Sequence, residues 1–341
     1  MGLTHYQMRT ILLPVKKLSA SSISTLDMCE MKWFLQYMAG FREPSGRAAA
    51  IGSMCHYVLE CIAHSKLLRQ NGRSFKKDDV VGRITPQYDL QKLTDKVYAH
   101  YTQKEPHIEW GDKEYREVCR NIEKAKAHPL FPENHAEIIS PEQFFMMKVD
   151  EEWAKYSYLK GGKTEEGNVH INGIIDLIFR DSNGVLNYLD YKFGQPKDWA
   201  TGKKKDYAAI VKDVQLCMYY LAVKNKFPGE DICVNIWYVN HNLVFSDFFG
   251  QAQEDIIMKK LESVLARLRS IDKPDTRRGF HCRFCPFSKT SFKNWDRPNL
   301  DIDYNKFGGH FEPVEEKVCV CDATKTFIDY RGITTTLENL K

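Results

Sequence analysis

The stretch His170–Gly194, HINGIIDLIFRDSNGVLNYLDYKFG, constrains the fold more than any other. Two apolar, β-rich runs flank Asp181-Ser182-Asn183-Gly184. Asn-Gly between such runs is the strongest short-range signal for a β-hairpin. The hairpin carries Asp176 on its first strand and Asp190 and Lys192 on its second. Asp190 and Lys192 are two apart on a strand, so they project from one face. Asp176 joins them only if the register sets it opposite Asp190. A two-residue Asn183-Gly184 turn excludes that register. An odd-length loop, Ser182-Asn183-Gly184 with a left-handed Gly184 as a bulge, provides it.

Two carboxylates on neighbouring strands can ligate Mg²⁺ or Mn²⁺, hard ions that prefer oxygen. Such an ion lowers the pKa of bound water and offsets charge on a phosphoryl oxygen. A lysine beside it can position the nucleophile or stabilise the transition state. Taken on spacing alone, the trio is equally an ordinary salt bridge across a surface hairpin.

Around the hairpin the chain alternates helical and strand patterns. Apolar periodicity predicts helices at about 24–38, 48–70, 88–103, 112–127, 207–227 and 251–271. Ser24 and Asp27 resemble a capping box for the first. Strand character is expected over about 141–158, with a loop at Gly161-Gly162 and the polar run KTEEGN. DICVNIWYVN reads as a buried strand and HNLVFSDFF as its antiparallel neighbour. This order implies an α/β (α+β) core with a mixed sheet. Four regions are expected: N-terminal helices of the core (1–70), a helical insertion narrowing a cleft (71–140), the main core (141–275), and a cysteine-containing C-terminal region packed on it (276–341).

Net charge is +4 with a pI near 8.4, compatible with nucleic-acid binding without arguing for it. Distribution says more. Lys197, Lys203, Lys204 and Lys205, interleaved with Trp199 and Tyr207, form a basic aromatic loop after the hairpin. Such a loop can hold a strand by charge and stacking. The sequence has no apolar run long enough to span a bilayer, and its first residues lack the pattern of a secretory signal. Ten cysteines in a chain of 341 residues then fit a reducing cytoplasm rather than a disulfide framework.

The chain resembles the PD-(D/E)XK nuclease superfamily in its RecB-type branch, which includes CRISPR-associated adaptation exonucleases and phage exonucleases. The resemblance rests on five motifs in the family's order: SxSxLxxC at Ser22–Cys29, GxxxH at Gly52–His56, GxxD at Gly173–Asp176, DYK at Asp190–Lys192 and QxxxY at Gln215–Tyr219. It implies a restriction-endonuclease-like core, a central mixed sheet flanked by helices, with the site at one edge. His56, Asp176 and Asp190 would be metal ligands for Mg²⁺ or Mn²⁺, Lys192 the catalytic lysine, and Gln215 and Tyr219 its orienting groups. Glu60 and Glu142 are secondary candidates.

Some members of this branch hold a 4Fe–4S cluster. Cys29, Cys282 and Cys285 match three of its cysteines, whereas the expected fourth position is Ser291. A cluster completed by Cys319, Cys321 or a non-cysteine ligand, a zinc site, and a metal-free packed region all remain open. The implied function is a metal-dependent deoxyribonuclease, an exonuclease on single-stranded DNA in recombination, repair or phage DNA metabolism. Recombination or replication proteins would be its partners; the oligomeric state is left open. A structure-specific endonuclease and a non-catalytic DNA-binding protein with a vestigial site are the alternatives.

Overall fold

The computed structural model describes residues 15–285, apart from 39–40, 43–44, 73–76, 79, 161–162, 199–201, 272–273, 278 and 284, and the backbone of short strands at 301–302, 317–321 and 326–329. The main elements in chain order are β1 (Lys17–Leu18), α1 (Ala20–Met28), α2 (Arg47–Asn71), α3 (Leu90–Lys104), α4 (Asp112–Lys126), β2 (Glu137–Lys148), β3 (Lys155–Lys160) and β4 (Lys163–Asn168). There follow β5 (His170–Arg180), β6 (Leu186–Lys192), α5 (Val214–Lys226), β7 (Ile232–Tyr238), β8 (Leu243–Phe249) and α6 (Gln251–Ser270).

The central sheet is mixed. β5 pairs antiparallel with β2 along its whole length, parallel with β1 at His170–Ile171, and antiparallel with β6 at Leu177–Arg180. β6 runs parallel to β7 through the crossover helix α5, and β8 returns antiparallel to β7. Helices cover both faces. One core packs α1, α5 and α6 against Ile171, Ile175, Tyr188 and Ile236. The other packs α2, α3 and α4 against Leu177, Phe179, Leu189 and Trp237. Residues 186–191 of β6 are buried, as expected for a strand covered on both sides. Its last residue, Lys192, emerges at the sheet's edge.

Three elements differ from the sequence expectation. α1 begins at Ala20, not Ser24, because Ser19 and Ser22 cap it reciprocally. It is interrupted at Cys29, whose backbone is extended, and helical structure resumes over Glu30–Trp33 and Phe34–Met38, with Met31 N donating to Asp275 O (3.0 Å). The run KTEEGN is not a loop: it forms β4, paired with β3 in a separate two-stranded ribbon. Gly161-Gly162 at the connection is a hairpin signal. The helix expected at 207–227 is divided, since Asp213 caps α5 by accepting from Gln215 N (3.0 Å) and Leu216 N (3.4 Å). Among the described residues, no helix is long and apolar enough to cross a membrane.

Between α4 and β2 the chain buries His135, stacked on Phe179 with ring centroids 3.6 Å apart. Burial, aided by the Lys66 ammonium, lowers its pKa from the ordinary 6.5 to about 3. The folded state holds the ring neutral, while the unfolded chain protonates it below 6.5. His135 therefore leaves stability intact above pH 6.5 and removes it progressively as pH falls toward 3. At pH 5 the expected loss is about 2 kcal/mol. Urea unfolding at pH 7 and pH 5 checks this: His135→Phe should lose about 2 kcal/mol less than the unsubstituted protein over that interval.

Candidate active site

The site begins where β5 and β6 part. Their ladder runs from Arg180↔Leu186 to Leu177↔Leu189, the register that sets Asp176 opposite Asp190. The loop that fixes it has Gly184 at φ 78°, and Asp181 N donates to Val185 O (3.2 Å). Asp181 Oδ1 accepts from the backbone N–H groups of Asn183 (2.8 Å) and Val185 (3.0 Å). Gly184 is left-handed but Asn183 is not, whereas a two-residue type I′ turn needs positive φ at both, so the loop takes the bulged form. The β5–β6 ladder stops at Leu177. Past it, Asp176 Oδ2 accepts from the Tyr191 backbone N–H (2.7 Å), bridging the opening strands through its side chain.

Two further donors converge there. His56, from α2, places Nδ1 3.4 Å from Asp176 Oδ2 and sets its ring edge-on to Tyr191 and Phe193. Burial lowers the His56 pKa, against the opposing pull of the Asp176 carboxylate. That favours neutral imidazole, the form that ligates metals. Glu142 lies opposite Asp176 on β2, between the paired residues Pro141↔Leu177 and Gln143↔Ile175. Its φ of 44° is left-handed, a conformation that is strained in a non-glycine residue. The ligand atoms of His56, Glu142 and Asp176 all lie within 4.8 Å of one another.

Asp190 is not part of that trio. It is 1% exposed, with Oδ2 2.6 Å from Lys192 Nζ and Oδ1 accepting from Gln215 Nε2 (3.0 Å). The Gln215 amide also accepts from Lys192 Nζ (3.0 Å) and donates to Tyr219 Oη (2.8 Å). One amide thus holds carboxylate, ammonium and phenol together, and only one orientation of its O and N satisfies all three. Burial pushes the Asp190 pKa up to about 7, with Lys192 opposing and Asp176 reinforcing the rise. At Lys192 burial acts to lower the pKa, but Asp190 and Asp176 outweigh it, and the group stays firmly cationic.

Gly173 makes room for this network. A Cβ there would lie 2.9 Å from ring carbons of both Phe145 and Tyr219. The glycine of the GxxD segment is therefore required by close approach. Glu142, by contrast, is a central residue that motif spacing left secondary. Its one local signal is the Pro141-Glu142 step within an apolar strand.

Two cavities flank the centre. One of about 1100 Å³ is lined by Lys192, Gln215, Tyr219, Lys197, Lys203 and Lys204, among others. The second, about 1000 Å³, opens on the His56 side and is walled by Arg120 and Lys124 of α4 and by Lys32. Gly194 and Gln195 border both, so the cavities meet beside Lys192. Lys205 also lines the first cavity, but its ammonium is engaged by Asp213 at 2.5 Å. Tyr207 is exposed and donates to Asp247. Trp199 lies outside the described residues.

Cys29, Cys282 and Cys285 are buried, and Cys29 and Cys285 belong to the same core. The segment around Asp275 docks on Cys29, whose Sγ lies 3.9 Å from Asp275 O. Cys282 Sγ accepts from Gly279 N (3.4 Å). Ser291 and the side chains of Cys319 and Cys321 lie outside the described residues.

Sheet topology and site together define a restriction-endonuclease-like α/β protein with its polar centre at a splayed hairpin. The chain belongs to the PD-(D/E)XK nuclease superfamily, whose family model matches residues 17–290. It is 26% identical over 185 residues to an ATP-dependent helicase/deoxyribonuclease subunit from Streptococcus agalactiae, and 25% identical over 186 residues to its counterpart from Streptococcus uberis. These matches cover 53% and 52% of this chain but only 14% of each relative. A solved structure from Eubacterium rectale, provisionally designated an exonuclease, aligns with 91% of this chain and 100% of its own at 11% identity and a TM-score of 0.46.

Proposed function

We propose that the protein is a metal-dependent DNA nuclease, acting as an exonuclease on single-stranded ends. The observation that carries this reading is the juxtaposition of two groups of residues. A nitrogen and two carboxylates converge at one side of the splayed hairpin, and an oriented lysine stands at the other. The donor set of His56, Glu142 and Asp176 fits a hard divalent cation such as Mg²⁺ or Mn²⁺ in both chemistry and span. When bound, such an ion lowers the pKa of a coordinated water and offsets phosphoryl charge.

The chain's own groups do the rest. Gln215 fixes the Lys192 ammonium where developing negative charge needs a donor, and Asp190 keeps that ammonium protonated. Tyr219 anchors the far side of the Gln215 amide. Asp190, a ligand in the expectation drawn from the resemblance, also holds Lys192, with Oδ2 2.6 Å from its Nζ. Lys197, Lys203 and Lys204 attract the phosphate backbone along the first cavity. Cys29, Cys282 and Cys285 supply three thiols, one short of the four that an iron–sulfur cluster normally takes, and no step of the reaction depends on them. Likeness to helicase/deoxyribonuclease subunits favours a helicase as partner, with action in recombination, repair or phage DNA metabolism in the cytoplasm.

Digestion of end-labelled linear and covalently closed single-stranded DNA in Mn²⁺ tests the reading. The linear strand should be degraded, the circle should survive, and chelation of the metal should stop the reaction. Cleavage of the circle would assign an endonuclease instead.

A further inference from the structure

The β2–β5 ladder continues past the site with a feature that the proposed chemistry does not use. One step beyond Glu142 and Asp176, Phe144 pairs with Ile174, and one step further Met146 pairs with Asn172. Phe144, Met146 and Ile174 are 55%, 51% and 47% exposed, while Phe145, Met147 and Ile175 between them pack on the first core. Three large apolar side chains thus form a contiguous outward shelf. Isolated exposed apolar residues are ordinary, but a clustered patch marks a surface that something covers.

What covers it follows from its neighbours. Phe144 and Ile174 line the same cavity as Lys192, Lys197, Lys203 and Lys204. An apolar shelf in a cavity lined by six lysines against four aspartates, and so of net positive charge, matches a ligand with one anionic edge and one apolar face. A single nucleic-acid strand has both, phosphates along one side and unstacked bases along the other. A duplex does not, since its bases are stacked and paired inside. An apolar protein segment would cover the shelf but bring no anionic edge to the positively charged cavity beside it.

We propose that the Phe144/Ile174 shelf stacks the unpaired bases beside the scissile phosphate, making these two residues determinants of single-strand selectivity. The assignment rests on the nuclease reading above and adds the part of the substrate that is recognised. Bases docked on the shelf bring the adjoining phosphate to the carboxylates one ladder step away. A paired base cannot reach the shelf without leaving its partner.

The test is DNA binding in the Lys192→Ala background, so that DNA is held but not cut. Phe144→Ala should weaken binding of a single-stranded oligonucleotide about tenfold, within the range for loss of one base–aromatic stack, and Ile174→Ala should weaken it in the same direction by less. Binding to a blunt duplex should change less than about twofold on the same argument. Phe144→Trp should bind single strands as well as Phe144 does. A single abasic site walked along the oligonucleotide should weaken binding at one position for Phe144, and not further for Phe144→Ala. Equal losses on single strand and duplex, or no abasic position with this dependence, would overturn the assignment. So would a change of oligomeric state in Phe144→Ala with DNA affinity unchanged, which would give the shelf to a second copy of the chain. If the protein cuts DNA but both shelf variants bind normally, only this inference fails; if it does not bind DNA at all, the nuclease reading falls as well.

Discussion

Lys192→Ala is expected to lower DNA cleavage by about 10²–10³-fold or more, the range for removing one preorganised charge-stabilising donor, while the fold survives. Survival follows from the surroundings of the lysine. Its side chain is one-third exposed, so truncation opens no sealed cavity. The carboxylate left behind, Asp190, is buried with its pKa already raised to about 7. Without the ammonium it takes up a proton and remains as a neutral group bonded to Gln215. Asp190→Ala is a harsher change, because stripping one partner from a buried pair typically costs about 3–5 kcal/mol. Asp190→Asn keeps the shape and should be as inactive as Lys192→Ala. Rates on end-labelled single strands, with thermal unfolding of each variant alongside, check both statements. If Lys192→Ala and Asp190→Asn both cut within about tenfold of the parent, these residues are not the catalytic centre.

The second large effect is expected at Glu142, where function and stability should move in opposite directions. The residue holds a left-handed backbone at φ 44° and sets its carboxylate against that of Asp176. The strained backbone costs the fold stability. Glu142→Gly relieves that strain and should raise stability by about 1 kcal/mol, allowing for the greater entropy of unfolded glycine. The same change removes a proposed ligand, so Mn²⁺ affinity should fall by about 100-fold, the upper end of the effect of losing a ligand's supporting partner, and cleavage with it. Glu142→Gln separates the contributions: it keeps the strained backbone and loses only the charge. Calorimetric titration with Mn²⁺ and thermal unfolding of the three forms measure each part. Unchanged Mn²⁺ affinity in both variants would exclude Glu142 from the donor set.

Much of this architecture was legible in the amino-acid sequence because it is set locally. The register of the central hairpin followed from a single requirement, that Asp176 face Asp190, and the bulged loop with left-handed Gly184 satisfies it. Helices α2, α3 and α4 fell within a few residues of the spans set by apolar periodicity. The placement of His56 beside Asp176 could be expected only through motif order, since no local pattern links residues so far apart. What could not be read depends on distant contacts. The interruption at Cys29, after which helical structure resumes at Glu30, goes with contacts to Asp275, 246 residues further on. The charged run Lys163–Asn168 pairs as a strand although its composition favours a loop. Glu142 gains its importance from standing across the ladder from Asp176, and its strain is a property of the assembled sheet. The division of labour between the carboxylates, Asp176 with His56 and Asp190 with Lys192, likewise depends on how the strands splay.

The parallel pairing of β6 with β7 imposes an order on assembly. A parallel neighbour cannot be reached by a tight turn, so β7 joins only after the whole crossover through α5 has closed. Gln215, which orients Lys192, lies on that crossover. A growing chain can form the hairpin with its acidic residues as soon as both strands exist, yet the ammonium has no orienting amide until α5 docks. Such long-range closures are the slow events of folding. The proposed centre is therefore complete only once α5 has docked, and until then the hairpin carries its acidic residues without the amide that orients Lys192.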